Sequence, residues 1–349
     1  MGKQIFVADR LRASGLAACV ALMLTATCIG QDRVYPAGDA TATGKITSIS
    51  PTEVKIEVRG KEQVYPIHEV RKIVFDDEPR GLDRAREFVL QGQFDQAIAE
   101  LKKVPQSELT SEPVKQDFKF YVYYCQARQS MVGDADPRNA VRGLVGVARE
   151  NPNTHHYFQL NATIGQLAAM LEQNARPYFA RVAEAPDAGN KAMGAYLLGQ
   201  FELQSGDATK ARESFRKATG LSDTADATQR YKRFSEVGLT VCDLRGGDAA
   251  GALKKLDALV AKYDSTDQEL FALISNARGA CYVELGKPNQ ALVRYLQTDL
   301  MFFTDPMAHA EALYHLSKLW TEVGQPGEAA DARARLQKKY ASSAFAKKT

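Results

Sequence analysis

The sequence has few of the residues on which most enzyme sites depend. Its 349 residues include only five histidines, five cysteines and one tryptophan. It has no HExxH motif, no cysteine pair at zinc-binding spacing and no glycine loop of the kind that binds phosphate. His155 and His156 are adjacent, and neighbouring side chains on a helix point in different directions, which disfavours a shared metal. The sequence therefore predicts no catalytic, cofactor-binding or metal site.

Neither sign of charge is in large excess. The chain has 45 basic and 42 acidic residues. A nucleic-acid-binding protein usually carries a basic stripe, and the pairs Lys338–Lys339 and Lys347–Lys348 fit an exposed last helix better. With 45% apolar and 25% charged residues, the composition is that of a folded chain without a nucleic-acid partner.

Long apolar runs are confined to the N-terminus. Three basic residues precede ASGLAACVALMLTATCIG, which ends in small side chains. This layout is typical of a secretory signal peptide, and the run is shorter than the about 20 residues of a membrane-spanning helix. We predict a signal peptide over residues 1–30, cleaved near Gly30 or at Ala26–Cys28. No membrane span then remains, and the protein is exported to the periplasm or cell envelope.

Two alternatives to cleavage stay open. The segment could be retained as an anchor, or Cys28 could carry a lipid, which would make the protein an anchored envelope-assembly component. Thr25 and Thr27 match the lipoprotein pattern poorly.

Three further cysteines, Cys125, Cys242 and Cys281, lie beyond this segment. An odd number cannot all pair within one chain. Each lies in an apolar helical pattern, where cysteine commonly serves as a small buried hydrophobe. We expect free, buried thiols.

Residues 40–76 alternate apolar and polar side chains, which is typical of half-buried strands. The stretches are GKITSIS, EVKIEVR, EQVYPI and RKIVF. We predict a small β domain over 38–76, a meander of four or five strands that closes like an SH3 or Sm barrel. About forty residues is near the limit for independent stability, so we expect it to dock on the first helical unit. An enzyme with an unrecognised site is a third, disfavoured alternative, which only a conserved polar cluster at that junction would revive.

A glycine followed by an alanine five residues later marks five places that are regularly spaced along the remaining chain. The pairs are Gly92–Ala97, Gly206–Ala211, Gly247–Ala252, Gly286–Ala291 and Gly324–Ala329. The glycine permits a positive φ where a helix ends, and the alanine lets an antiparallel second helix approach closely. The spacing predicts two degenerate units within 113–150 and 154–185. The mostly α chain should thus contain about seven helical hairpins, stacked as a solenoid.

These residues resemble the tetratricopeptide repeat (TPR). The fullest match is GACYVELGKPNQALVRY, and the resemblance covers residues 79–346. The ending LQKKYASSAFAKK resembles TPR proteins of the bacterial cell envelope. The chain departs from the family in two ways. Its period exceeds the usual about 34 residues, and Glu202 and Asp243 stand where the family has an aromatic side chain.

The resemblance implies a non-catalytic scaffold that binds a protein or peptide along a concave face. The family's concave positions correspond to Met193, Tyr196, Gln200, Leu203, Phe234, Val237, Val241, Leu244, Leu273, Asn276, Ala280 and Val283. Because these side chains are mostly apolar, we expect an apolar or aromatic partner and no cofactor. The alternative is that the superhelix closes and these residues are core. The sequence leaves the oligomeric state open.

Overall fold

The computed structural model describes residues 31–38, 40–133 and 136–349, in which a five-stranded antiparallel sheet precedes fourteen α-helices. The strands are β1 (Asp32–Pro36), β2 (Ala42–Ile49), β3 (Glu53–Val58), β4 (Lys61–Pro66) and β5 (Val70–Val74). The helices are α1 (Arg80–Leu90), α2 (Phe94–Leu101), α3 (Glu112–Met131), α4 (Pro137–Glu150), α5 (Tyr157–Met170), α6 (Arg176–Ala183), α7 (Ala188–Gln204), α8 (Ala208–Thr219), α9 (Asp226–Arg245), α10 (Ala249–Lys262), α11 (Gln268–Glu284), α12 (Pro288–Met301), α13 (Pro306–Glu322) and α14 (Pro326–Tyr340). The predicted signal peptide and Cys28 lie outside the described residues.

The sheet has the strand order β4-β3-β2-β1-β5. The first half of β2 pairs with β1 and the second half pairs with β3. Gly44 lies where β2 passes between the two, and a Cβ there would lie 2.0 Å from the carbonyl oxygen of Glu57. Only glycine fits such an approach of two backbones. A short 3-10 helix, Ile67–Glu69, connects β4 to β5.

The small antiparallel sheet ahead of the helices is confirmed, but its first strand lies outside the predicted range of 38–76. Strand β1 has five residues, of which only Val34 is buried. Its sequence therefore carries no clear alternation, and its pairing with β2 and β5 defines it as a strand. The strands β4 and β5 are the two edges, so in the described part of the chain no ladder between them closes a barrel.

The helices form seven consecutive hairpins, each with an odd-numbered first helix and an even-numbered second helix. All five glycines of the glycine–alanine pairs have a positive φ, between 68° and 90°. Gly133 (φ 87°) and Glu172 (φ 57°) hold the same place in the two degenerate hairpins. A left-handed residue thus ends the first helix in all seven units.

Small residues bring the two helices of a hairpin together. A Cβ on Gly199 would lie 2.5 Å from the ring of Phe215, and one on Gly279 would lie 2.6 Å from the ring of Tyr295. Each aromatic ring comes from the second helix of the same hairpin. It lies four residues after the alanine of the glycine–alanine pair. The ring occupies the space that a side chain on the first helix would otherwise take.

The two acidic departures from the family pattern make ion pairs instead of aromatic contacts. Glu202 is buried, where it accepts hydrogen bonds from Arg176 and Ser214, both at 2.7 Å. Asp243 pairs with Arg212 and Lys255, each at 2.8 Å. Polar contacts to neighbouring second helices therefore hold these first helices in place.

The direction in which the helical array curves follows from the contacts between its helices. Successive first helices pack against one another from α1 to α13. Within the residues that the structure describes, no two second helices are in comparable contact. The first helices therefore lie on the inner, concave side of the array.

The sheet docks on the start of the array, as the sequence predicts. Buried side chains from Val34 on β1 to Met170 on α5 form one continuous apolar core. Lys72 on β5 is buried and pairs with Asp83 at 2.7 Å and Glu87 at 2.6 Å, both on α1.

Candidate functional site

The twelve predicted concave residues, called the inner face below, lie on α7, α9 and α11. Five are buried: Tyr196, Phe234, Val237, Leu244 and Asn276. Asn276 donates to the backbone oxygen of Ala308 at 2.8 Å and to Glu311 at 2.9 Å, so it joins α11 to α13. These five residues contribute to the core in this conformation.

The other seven inner-face residues are accessible. Val283 is 41% exposed, and the remaining six are half-buried: Met193, Gln200, Leu203, Val241, Leu273 and Ala280. Five of these six, all except Gln200, also pack against the core, so the inner face keeps a mostly apolar surface that is only partly accessible.

Polar groups lie beside this surface. Gln200 donates to the hydroxyl of Tyr196 at 2.7 Å. Arg230 pairs with Glu269 and lies over the rings of Tyr231 and Phe234. Burial raises the pKa of Glu269, although Arg230 opposes that rise.

The end of the chain reaches back to the second and third hairpins. Lys347 donates to the backbone oxygen of Met170 at 3.0 Å and lies 3.7 Å from Glu172. At Gly133, a Cβ would lie 2.6 Å from the backbone oxygen of Lys339. The C-terminal part of the array thus contacts the second and third hairpins and closes the superhelical turn.

A buried polar cluster, the junction cluster, lies where the sheet meets the first three hairpins. It consists of Glu78, Arg86, Asp117, His155 and His156. Arg86 donates two hydrogen bonds to Glu78, both at 2.9 Å, and one to Oδ2 of Asp117 at 2.6 Å. The other oxygen of Asp117, Oδ1, lies 2.5 Å from Nε2 of His156 and 3.4 Å from Nε2 of His155.

The surroundings of the junction cluster shift the pKa of its members. Burial alone would raise the pKa of Asp117, but Arg86 and the two imidazoles lower it below its usual range. Burial lowers the pKa of His155 to about 3, and His156 adds to that effect. The His156 ring stacks on Phe120 at 3.6 Å between centroids, which fixes its orientation.

His155 and His156 do not lie on a helix, which was the reason to disfavour a shared metal. Helix α5 begins only at Tyr157, and the two histidines form the preceding turn. Their rings lie 3.8 Å apart between centroids. With Asp117 they form a group whose ligand atoms all lie within 4.8 Å of one another.

A pocket of about 310 Å³ opens beside the junction cluster. Asp117 and His155 line it together with Glu112, Gln116 and Glu150. Gln116 is buried and donates through Nε2 to Glu112 at 2.6 Å, while its Oε1 has no partner. An unsatisfied buried amide oxygen is costly and indicates a place for a polar ligand or water. This pocket could not be predicted from the sequence, because its residues come from separate parts of the fold.

An exposed apolar patch lies at the turn between α12 and α13. Leu300, Met301, Phe303 and Met307 are 67%, 58%, 50% and 36% exposed. Neighbouring exposed apolar residues commonly mark an interaction surface, so this patch competes with the inner face as a place for a partner.

The expectation of free thiols is confirmed. Cys125, Cys242 and Cys281 are buried and unpaired. Burial raises the pKa of Cys281 to about 11 and raises that of Cys242, which makes both thiols poor nucleophiles. In the described ranges, no helix combines the length and apolar character needed to cross a bilayer.

Comparison with known proteins supports the fold. No family model matches the chain, and no curated protein matches it. A structure of a monomeric IFIT1 mutant with m7Gppp-AAAA aligns with a TM-score of 0.50 at 13% identity, over 77% of this chain and 60% of that one. A tetratricopeptide repeat protein from Parabacteroides merdae aligns with a TM-score of 0.49 at 14% identity, over 74% of this chain and 91% of that one. The described chain is a TPR-like helical repeat array preceded by a small antiparallel sheet.

Proposed function

We propose that this protein is a non-catalytic scaffold that binds a protein or peptide on the inner face of its TPR-like array. The proposal depends on seven inner-face side chains that remain at least partly accessible, whereas the other five are buried. A preformed repeat surface loses little conformational entropy on binding, which favours such a role.

The chemistry of the inner face favours a partner segment with apolar side chains. Aliphatic contacts along three successive first helices come from Met193, Leu203, Val241, Leu273 and Val283. Gln200 on α7 can exchange its bond with Tyr196 for one with a partner backbone. An extended or helical peptide that presents apolar residues fits this arrangement.

Val283→Glu is expected to weaken partner capture at least about tenfold, because it places a charge in the apolar contact. The bait is residues 31–349, crosslinked in an extract of the producing cells. The affinity of the captured protein is then measured against each purified variant. Val145→Glu on α4 is the matched control, since Val145 is 38% exposed and Val283 is 41% exposed.

Leu300→Glu tests in the same experiment whether the partner binds the exposed apolar patch instead of the inner face. The proposal requires that Val283→Glu weakens binding while Val145→Glu and Leu300→Glu leave it within about twofold. Loss of the partner with Leu300→Glu alone would transfer recognition to the patch and contradict the proposal.

We further propose that the scaffold is exported, which rests on the basic and then apolar layout of residues 1–30. The intact mass of the protein from its producing cells separates the alternatives. A chain that starts near residue 31 supports a cleaved signal peptide. An acylated Cys28 would favour the lipid-anchored envelope-assembly component, and an unprocessed mass would contradict both.

A further inference from the structure

We propose that the junction cluster binds a divalent transition-metal ion of the Zn²⁺ class through Asp117, His155 and His156. These residues supply two imidazole nitrogens and a carboxylate oxygen, a donor set that suits Zn²⁺ and its neighbours. The ligands come from α3 and from the turn before α5, so a bound ion would join the second and third hairpins.

One of the three ligand-atom separations already fits such an ion, and a second needs a small change. Ligand atoms at about 2.0–2.2 Å from Zn²⁺ in a tetrahedron lie roughly 3.3 Å from one another. Oδ1 of Asp117 and Nε2 of His155 are already 3.4 Å apart. Oδ1 and Nε2 of His156 are 2.5 Å apart, so this hydrogen bond must open by less than 1 Å.

The junction cluster has more carboxylates than guanidinium groups, so its charge favours a bound cation. Glu78 and Asp117 carry two carboxylates, and within the cluster Arg86 supplies one guanidinium. Arg86 contacts Oδ2 of Asp117 and leaves Oδ1 to the two imidazoles. A buried carboxylate needs a compensating positive charge. A metal ion at Oδ1 would supply it.

The neighbouring pocket adds an independent observation. Three protein ligands leave a fourth position for water in an open zinc site. Asp117 and His155 line the pocket of about 310 Å³, so that position would face it. Gln116 lines the same pocket with its unpartnered Oε1, while its Nε2 is fixed by Glu112. A metal-bound water could donate to this oxygen.

Calorimetric titration of the metal-free full chain with ZnCl₂ tests the proposal. We expect one Zn²⁺ per chain and at least about tenfold weaker binding in His155→Gln, which removes one ligand at the accessible edge of the cluster. His68→Gln is the control, because His68 is exposed on the β domain. Zn²⁺ should also raise the thermal unfolding midpoint of the wild type by several degrees and leave that of His155→Gln nearly unchanged.

X-ray absorption of the Zn²⁺-loaded wild type keeps the test independent of any variant. Two imidazole ligands support the site. A folded wild type that binds no Zn²⁺ would overturn the proposal. Equal affinity in His155→Gln and the wild type, or a spectrum without imidazole ligands, would overturn it as well.

Discussion

Arg86→Met is expected to lower the free energy of unfolding by about 3–5 kcal/mol. Arg86 is 2% exposed, and it neutralises Glu78 and Asp117, which are both buried. Methionine preserves much of the side-chain volume and removes the charge. Two carboxylates would then remain in the core of the junction without a strong partner, which is the costly way to disrupt a buried ion pair.

The control for this prediction, Arg84, lies two residues earlier on the same helix. Arg84 is 64% exposed at its side chain and reaches Glu100 at 3.5 Å, so Arg84→Met should cause little measurable loss. Urea denaturation of both variants with a chelator present keeps metal binding out of the comparison. Similar losses in the two variants would contradict the assignment of Arg86 as the central cation of the junction cluster.

Gly194→Ala is expected to lower the free energy of unfolding by at least about 2 kcal/mol. Gly194 is in α7, and a Cβ there would lie 2.1 Å from the backbone nitrogen of Ala183 and 2.5 Å from the carbonyl carbon of Val182. Backbone atoms cannot rotate away as a side chain can. The end of α6 and α7 would have to separate, which exposes the core between the third and fourth hairpins.

Gly146→Ala is the same substitution, but it is expected to raise the free energy of unfolding. Gly146 is inside α4, and a Cβ there would meet no atom within 4 Å. Alanine should therefore stabilise the helix by up to about 1 kcal/mol. Thermal and urea unfolding of the two variants should shift in opposite directions, and a shift of the same sign in both would contradict the proposed packing.

The repeat architecture could be predicted because its spacing has a direct physical cause. A left-handed turn residue followed by a close-packed alanine recurs wherever two helices form a tight hairpin. The second and third hairpins keep the alanine and its apolar partner four residues later, as Ala140–Leu144 and Ala175–Phe179. Their distance from the turn residue changes, from five residues to seven after Gly133 and to three after Glu172. The changed turn length, together with a glutamate in place of the glycine in the third hairpin, therefore weakens the motif there.

The junction cluster could not be assembled from local patterns. Its members come from the segment before α1, from α1, from α3 and from the turn before α5. One local feature was informative, because Asn151 and Pro152 precede the two histidines and Asn-Pro favours a turn. A turn at this place removes the argument from helical geometry against a shared ligand.

The twelve inner-face residues were named from family positions, and their exposure was left open between a groove and a core. Family positions indicate which side of a first helix faces inward, whereas exposure depends on how tightly the array curves. Here five of the twelve residues are core because neighbouring helices pack against them. Leu244 is one of them, so a charge there would test stability rather than binding.

The central claim is that the inner face receives a protein partner. Photo-crosslinking from position 283 of the full chain, in the cells that produce it, tests that claim most directly, with positions 145 and 300 as references. We expect one dominant crosslinked protein from position 283 and none of it from position 145. A partner that crosslinks only from position 300, or from none of the three, would contradict the claim.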